Sequence, residues 1–90
     1  MEITKHGFVC GRVQGVFFRA ETQKMAVKLG IRGWVRNATE GRVEILICGS
    51  KSATDLMGDW LAIGPPLAKV ETLELGLIDT TPVAGFHIRS

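Results

Sequence analysis

Strand-like and helix-like periodicities alternate along this 90-residue chain in a definite order. Apolar or small residues recur at the spacing of one helical face in two segments, 18–29 and 53–61. Gly30 and the Gly-Pro-Pro run at 64–66 supply a stop for each helix. Strand patterns occupy most of the remaining chain, at 4–12, 31–36, 42–48, 68–77 and 86–88. The element order is therefore β-α-β-β-α-β with a small extra strand.

This order predicts an α+β fold of the ferredoxin-like type, an α/β sandwich in which an antiparallel sheet carries two helices on one face. No linker, repeat or low-complexity tract interrupts the chain, so residues 1–90 are expected to form one domain. Because a helix returns the chain between the first two strands, both strands run in the same direction. The loop at 13–19 and Asn37 should therefore lie at one edge of the sheet.

The second helix has signals at its start and along its buried face. Ser52 to Asp55 resembles a capping box, in which the Ser52 hydroxyl would accept a hydrogen bond from a backbone N–H of the first turn. The apolar face expected to be buried, with Trp60 in the core, comprises Ala53, Leu56, Met57, Trp60 and Leu61.

The two cysteines, Cys10 and Cys48, are expected to be free thiols. Antiparallel pairing of the first and third strands would put them at opposite ends of the sheet, too far apart for a disulfide. Free thiols are typical of a reducing cytoplasm. The chain has neither a signal-peptide core nor the roughly 20 apolar residues of a membrane span. We therefore expect a cytoplasmic protein without membrane contact.

The charge is weakly basic and unevenly distributed. The formal net charge is +2, with eight Lys and Arg against four Asp and Glu in residues 1–50, and three against five in residues 51–90. An anionic ligand would be drawn to the first half, although chance asymmetry is the alternative. RNA-recognition domains of this topology need aromatic residues on their central strands, and the third strand has none. No nucleic-acid partner is expected.

The stretch GRVQGVFFR at 11–19 joins the first strand to the first helix. Gly15 can adopt a positive φ, which lets successive backbone N–H groups converge, and the helix N-terminus adds a partial positive charge. Arg19 would follow in the first helical turn, with a guanidinium that matches two phosphate oxygens. These residues alone leave open a plainer alternative, in which Gly15 only makes a turn and Arg19 is solvated.

Other phosphate and metal chemistries lack their residues. The chain has no Walker-type GxxxxGK[ST] sequence, and the residue six places after Cys10 is Val16 rather than the arginine of a tyrosine-phosphatase loop. His6 and His87 lie far apart, without cysteine or carboxylate at metal-ligand spacing, so both are expected on strand surfaces. We expect no metal and no cofactor.

Two segments of the chain resemble the two signatures of the acylphosphatase family. The first is VCGRVQGVFFR at 9–19, and the second is GWVRN at 33–37 followed by GRV at 41–43. Their separation and the FHIR sequence at 86–89 also resemble the family. The similarity therefore spans nearly the whole chain.

The resemblance implies an enzyme that hydrolyses acyl phosphates to a carboxylate and inorganic phosphate. It implies that Arg19 binds the phosphoryl group and that Asn37 holds the attacking water. The backbone N–H groups implied to bind phosphate are those of Gln14, Gly15, Val16, Phe17, Phe18 and Arg19. Position 17 is often glycine in the family and is Phe17 here, whereas Ala38 replaces a threonine that many members carry.

The expected partner is a small-molecule acyl phosphate, and the protein is expected to be monomeric. A departing carboxylate is stable without protonation, so the protein needs only to neutralise the phosphoryl oxygens and align a water. The alternative is a non-catalytic regulatory domain that binds phosphate or carbamoyl phosphate, as in the N-terminal part of hydrogenase-maturation proteins. Because the chain ends at Ser90, we favour a free-standing enzyme.

Overall fold

The computed structural model describes residues 1–89. Its elements, in chain order, are β1 (Glu2–Arg12), α1 (Phe18–Leu29), β2 (Arg32–Asn37), a 3₁₀ turn (Thr39–Gly41), β3 (Val43–Ser50), α2 (Lys51–Ile63), β4 (Lys69–Ile78) and β5 (Phe86–Arg89). The predicted element order is confirmed. No helix in this range has the length and apolar character needed to cross a membrane.

The five strands form one sheet in the order β4-β1-β3-β2-β5. The first four are antiparallel to their neighbours, which confirms the ferredoxin-like fold, whereas β5 is parallel to β2. The sheet is therefore mixed rather than antiparallel throughout. The physical reason is the end of the sheet at which β4 finishes. The last residues of β4 lie at the same end as the first residues of β2. A following strand that starts at that end and pairs with β2 runs in the same direction as β2.

The core lies between the helices and one face of the sheet. Its fully buried members from β1, β2, β3, α1 and α2 include Val9, Val35, Ile45, Ile47, Phe18, Ala26, Met57 and Leu61. The α1 face follows the predicted spacing. Gly30 ends α1 in the left-handed region (φ 71°), and its N–H donates to the carbonyls of the last turn.

The start of α2 differs from the predicted capping box. The capping residue is Ser50 rather than Ser52, because the Ala53 N–H donates to the Ser50 hydroxyl oxygen at 3.1 Å. Strand β3 runs directly into α2, so its last residue already has the extended backbone that a cap requires (φ −61°, ψ 158°). The prediction for Ser52 was wrong because it placed the strand end two residues too early.

The buried face of α2 is also rotated from the predicted one. Its buried residues are Thr54, Met57 and Leu61, whereas Leu56 is 56% exposed and Trp60 is only partly buried beside Phe18. Thr54 can lie inside because its hydroxyl donates to the carbonyls of the preceding turn at 3.0 Å. Thr54 therefore occupies a core position that the apolar pattern of the helix did not predict.

The cysteines lie where the strand pairing predicts. Both thiols are free, and Cys48 is paired across β1–β3 with Thr4, six residues before Cys10. At about 3.4 Å per strand residue, the two cysteines are roughly 20 Å apart. This distance is too great for a disulfide.

The strand directions bring the ends of β1 and β2 to one edge of the sheet, as predicted. Both strands are antiparallel to β3, and Val9 of β1 and Asn37 of β2 are both paired with Val43. Because β3 lies between them and neighbouring strands are about 4.8 Å apart, β1 and β2 are separated by about 10 Å at this end of the sheet.

Candidate active site

The loop between β1 and α1 has alternating backbone conformations. Gly15 (φ 73°) and Phe17 (φ 63°) are in the left-handed region, whereas Val16 between them has no positive φ. Such alternation turns successive N–H groups toward one point and forms a concave anion site. Among residues 1–89, no N–H of residues 14–17 donates to a backbone carbonyl. These donors are available to a ligand.

Arg19 is the second residue of α1 and is half-buried at the open end of this loop. One guanidinium nitrogen, Nη1, donates to the carbonyl of Arg89 at 3.3 Å. No carboxylate of residues 1–89 lies within salt-bridge distance of Arg19. Its charge is thus not neutralised within the described part of the chain, as an anion site requires.

Asn37 is the last residue of β2 and faces the same region. Its side-chain oxygen Oδ1 is buried and has no hydrogen-bond partner among the described residues. An unpaired buried acceptor typically costs about 1–3 kcal/mol. A residue that carries this cost at the mouth of an anion loop has the properties of a ligand-binding or catalytic group rather than a structural one.

A cleft of about 300 Å³ joins these groups. Its lining comprises Val13, Gly15, Phe17, Phe18, Arg19, Ala20, Asn37 and Ile88. Four site residues predicted from the first signature therefore line the same cleft as Asn37, which was predicted from the second. These four are Gly15, Phe17, Phe18 and Arg19. Gln14 and Val16 are not among the lining residues: the Val16 side chain is buried in the core, and the Gln14 side chain is hydrogen-bonded to the Ala38 and Arg42 carbonyls. Their predicted contribution was through backbone N–H groups, and it stays a prediction.

Residues 5–88 match the family model described as Acylphosphatase. The chain belongs to the acylphosphatase family. It is accordingly an enzyme of that family, as the two signatures implied.

Individual relatives of the acylphosphatase family cover nearly the whole chain. An acylphosphatase of Haloquadratum walsbyi is 45% identical over 84 residues, which are 93% of this chain and 90% of the relative. The solved acylphosphatase of Coxiella burnetii has a TM-score of 0.93 at 38% identity and covers 98% of this chain and 93% of its own. The similarity thus extends to both signatures and the sheet that carries them.

One solved structure bears on the regulatory alternative. HypF of T. kodakarensis has a TM-score of 0.84 at 28% identity over 98% of this chain, which corresponds to only 12% of the HypF chain. The acylphosphatase fold therefore also occurs as a small part of a much longer protein.

Phe17 has a backbone conformation that suits glycine better than phenylalanine. A φ of 63° is a left-handed conformation that strains a bulky side chain and does not strain glycine. Phe17 is the residue before α1, is 72% exposed and makes no side-chain cap. Its side chain gains little from burial, so the strain is not offset by packing.

The side chain of Gln14 has a role that the sequence did not reveal. Its Nε2 donates to the carbonyl of Ala38 at 3.0 Å and to that of Arg42 at 2.8 Å. Both acceptors lie in the turn between β2 and β3, directly after Asn37. The amide thereby ties the anion loop to the strand end that carries Asn37. The partners are 24 and 28 residues away, so no local pattern could have indicated them.

We expect Gln14→Ala to raise the KM for an acyl phosphate severalfold and to lower the free energy of unfolding by about 1–3 kcal/mol, the usual value of two such hydrogen bonds. Gln23→Ala is the matched control, because Gln23 donates to the Phe86 carbonyl at 2.9 Å outside the loop. The control should lower stability without raising KM. Steady-state kinetics and thermal unfolding measure both effects. Equal KM values in the two variants would contradict a role of the Gln14 hydrogen bonds in substrate binding.

A second, shallower cleft of about 570 Å³ on the helix-free face of the sheet adjoins Asn37. Two of its charged residues are paired with each other, because Glu44 accepts from Arg36 at 2.6 Å and also contacts His6 at 2.7 Å. Burial would raise the pKa of Glu44, but the hydrogen bonds and charges of His6 and Arg36 outweigh it and lower that pKa. Arg42 is half-buried and stacks on Phe8 at 4.2 Å. This cleft is therefore a weaker candidate than the first.

The remaining candidate ligands lie apart. His6 is half-buried on β1 and His87 is exposed on β5, in agreement with the predicted strand surfaces. Within residues 1–89, no group of three His, Cys, Asp or Glu side chains is arranged to hold a metal.

Proposed function

We propose that this chain hydrolyses acyl phosphates through Arg19, Asn37 and the loop N–H groups. The observation that carries the proposal is the meeting of an unneutralised guanidinium, a set of free N–H donors and a buried unpaired acceptor in one cleft. Membership of the acylphosphatase family supports the same chemistry. The proposed products are a carboxylate and inorganic phosphate.

The phosphoryl group would be bound by the loop and Arg19. The N–H groups of residues 14–19 would donate to its oxygens, and the α1 N-terminus would add its partial positive charge. The planar guanidinium of Arg19 can donate to two oxygens at once. In a site of this kind, one preorganised donor is worth about 10²–10³ in rate.

Asn37 would hold the attacking water. The side-chain amide of Asn37, which lines the cleft, can hold a water that keeps a lone pair free to attack phosphorus. The new bond forms between water oxygen and phosphorus, and the bond between phosphorus and the acyl oxygen breaks. The carboxylate leaves with that electron pair and needs no proton. The proton of the water passes to a phosphate oxygen, so no enzyme base is needed.

The second candidate function is a non-catalytic phosphate- or carbamoyl-phosphate-binding domain. The likeness to part of HypF favours it, because there the fold is a small part of a longer chain. The two functions share the loop and Arg19. They differ in whether a bound acyl phosphate is hydrolysed faster than in water.

The test is an assay of acetyl phosphate and benzoyl phosphate hydrolysis with EDTA present. We expect turnover that the chelator does not change, because neither the binding of the phosphoryl group nor the holding of the water needs a metal in this mechanism. Binding of inorganic phosphate without accelerated hydrolysis would favour the regulatory domain instead. Loss of activity on chelation would contradict the metal-independent mechanism. A monomeric state, a single domain over 1–90 and a cytoplasmic location stay predictions.

A further inference from the structure

A second groove of about 200 Å³ adjoins the candidate site. It lies between the anion loop and the turn after α2, and its lining comprises Val16, Phe17, Glu21, Pro65, Pro66 and Leu67. The turn is closed by a hydrogen bond from the Ala68 N–H to the Pro65 carbonyl at 3.0 Å. The groove is thus a shaped and mainly apolar surface.

Phe17 connects the groove to the phosphoryl cleft, because it lines both. The folded state gains little from this side chain, which is 72% exposed and strains a left-handed backbone. Backbone strain that is retained without a packing gain is typical of functional positions. The exposed Phe17 ring is therefore available for contact with a ligand.

The geometry of the proposed reaction directs the acyl group toward Phe17. In an in-line displacement, the acyl oxygen leaves on the side of phosphorus opposite the attacking water. Asn37, which would hold that water, forms the sheet side of the cleft together with Ile88 on the neighbouring strand β5. The rest of the lining comes from the loop and the start of α1, and Phe17 is the loop residue that also lines the second groove.

We propose that this groove binds the acyl group of the substrate and that the enzyme prefers acyl phosphates of apolar, particularly aromatic, carboxylic acids. The proposal rests on the hydrolase function above. Leu67 is 65% exposed on the groove and offers apolar surface to an acyl group. The charged residue of the groove is Glu21, which is weakly paired with Lys24 at 3.6 Å. An anionic acyl group would be repelled there.

The first test replaces Leu67 with serine and compares benzoyl phosphate with acetyl phosphate. We expect kcat/KM for benzoyl phosphate to fall about three- to tenfold, from the loss of apolar contact. The acetyl group has a single methyl to place against apolar surface, so its kcat/KM should fall much less. Leu56→Ser is the matched control, because Leu56 is 56% exposed on α2 away from the groove, and it should alter neither value.

The second test replaces Glu21 with glutamine and adds succinyl phosphate, whose acyl group is anionic. We expect kcat/KM for succinyl phosphate to rise about threefold, since an exposed charge contributes modestly. The value for benzoyl phosphate should stay constant.

Two outcomes would overturn the inference while leaving the proposed function intact. In one, Leu67→Ser changes benzoyl and acetyl phosphate hydrolysis equally or not at all. In the other, wild type prefers succinyl phosphate to benzoyl phosphate. A wild type that hydrolyses none of the three substrates would instead remove the proposed function, and this inference with it.

Discussion

Arg19→Ala is expected to lower kcat/KM for acetyl phosphate by about 10³-fold or more, since the guanidinium supplies more than one of the donors that are each worth 10²–10³. The fold should survive, because Arg19 makes one long hydrogen bond, to the Arg89 carbonyl at 3.3 Å, and no carboxylate pairs with it in residues 1–89. Phosphate affinity, measured by calorimetry, should fall with kcat/KM. Circular dichroism and thermal unfolding check the fold.

Two further variants separate the shape of the side chain from its charge. Arg19→Lys keeps the charge but loses the two-pronged geometry, so it should recover only part of the lost rate. Arg12→Ala removes an exposed arginine at the end of β1, outside the cleft lining, and is the control for net charge. If Arg12→Ala and Arg19→Ala lose similar activity, Arg19 acts as a general positive charge and not as a phosphoryl ligand.

The position of the site could be predicted because it depends on strand direction. A helix between β1 and β2 makes these strands parallel in direction, and no side-chain detail is needed to bring Asn37 to the loop that ends at Arg19. The signatures then indicated which residues at that edge carry the chemistry. These are features of chain connectivity, which the element order contains.

The features that the sequence did not reveal depend on contacts between distant residues or on small shifts in element ends. Gln14 acts through carbonyls more than 20 residues away, and a carbonyl acceptor has no sequence signature. The cap of α2 is Ser50 because β3 extends to the residue directly before the helix. The buried face of α2 is a separate difference, because it is centred on Thr54, Met57 and Leu61 and leaves Trp60 only partly buried.

The left-handed backbone of Phe17 could not be read from its residue type, which disfavours it. The unpaired Oδ1 of Asn37 was equally hidden, because an asparagine at a strand end usually finds a partner. Both features are local departures from ordinary stability, and both lie in the candidate site. Departures of this kind are where reasoning from local preference is expected to fail.

Asn37→Ala is expected to lower kcat about 10²-fold, the usual cost of losing the alignment of one reactant. The KM should change little, because the proposed role of Asn37 is to hold water rather than substrate. Stability should not fall, since the buried Oδ1 has no hydrogen bond to lose among the described residues. Kinetics with benzoyl phosphate and thermal unfolding test these three expectations together.

Asn37→Asp is the matched variant that keeps the shape and the acceptor oxygen but adds a negative charge. The carboxylate would repel the phosphoryl group across the same cleft, so KM should rise where Asn37→Ala leaves it constant. A loss of about 1 kcal/mol would shift Tm by roughly 4–8 °C in a domain of this size. If Asn37→Ala lowers Tm by that much while kcat falls, the side chain supports the fold and the water-holding role is wrong. Activity lost with Tm unchanged or raised would instead support the water-holding role of Asn37.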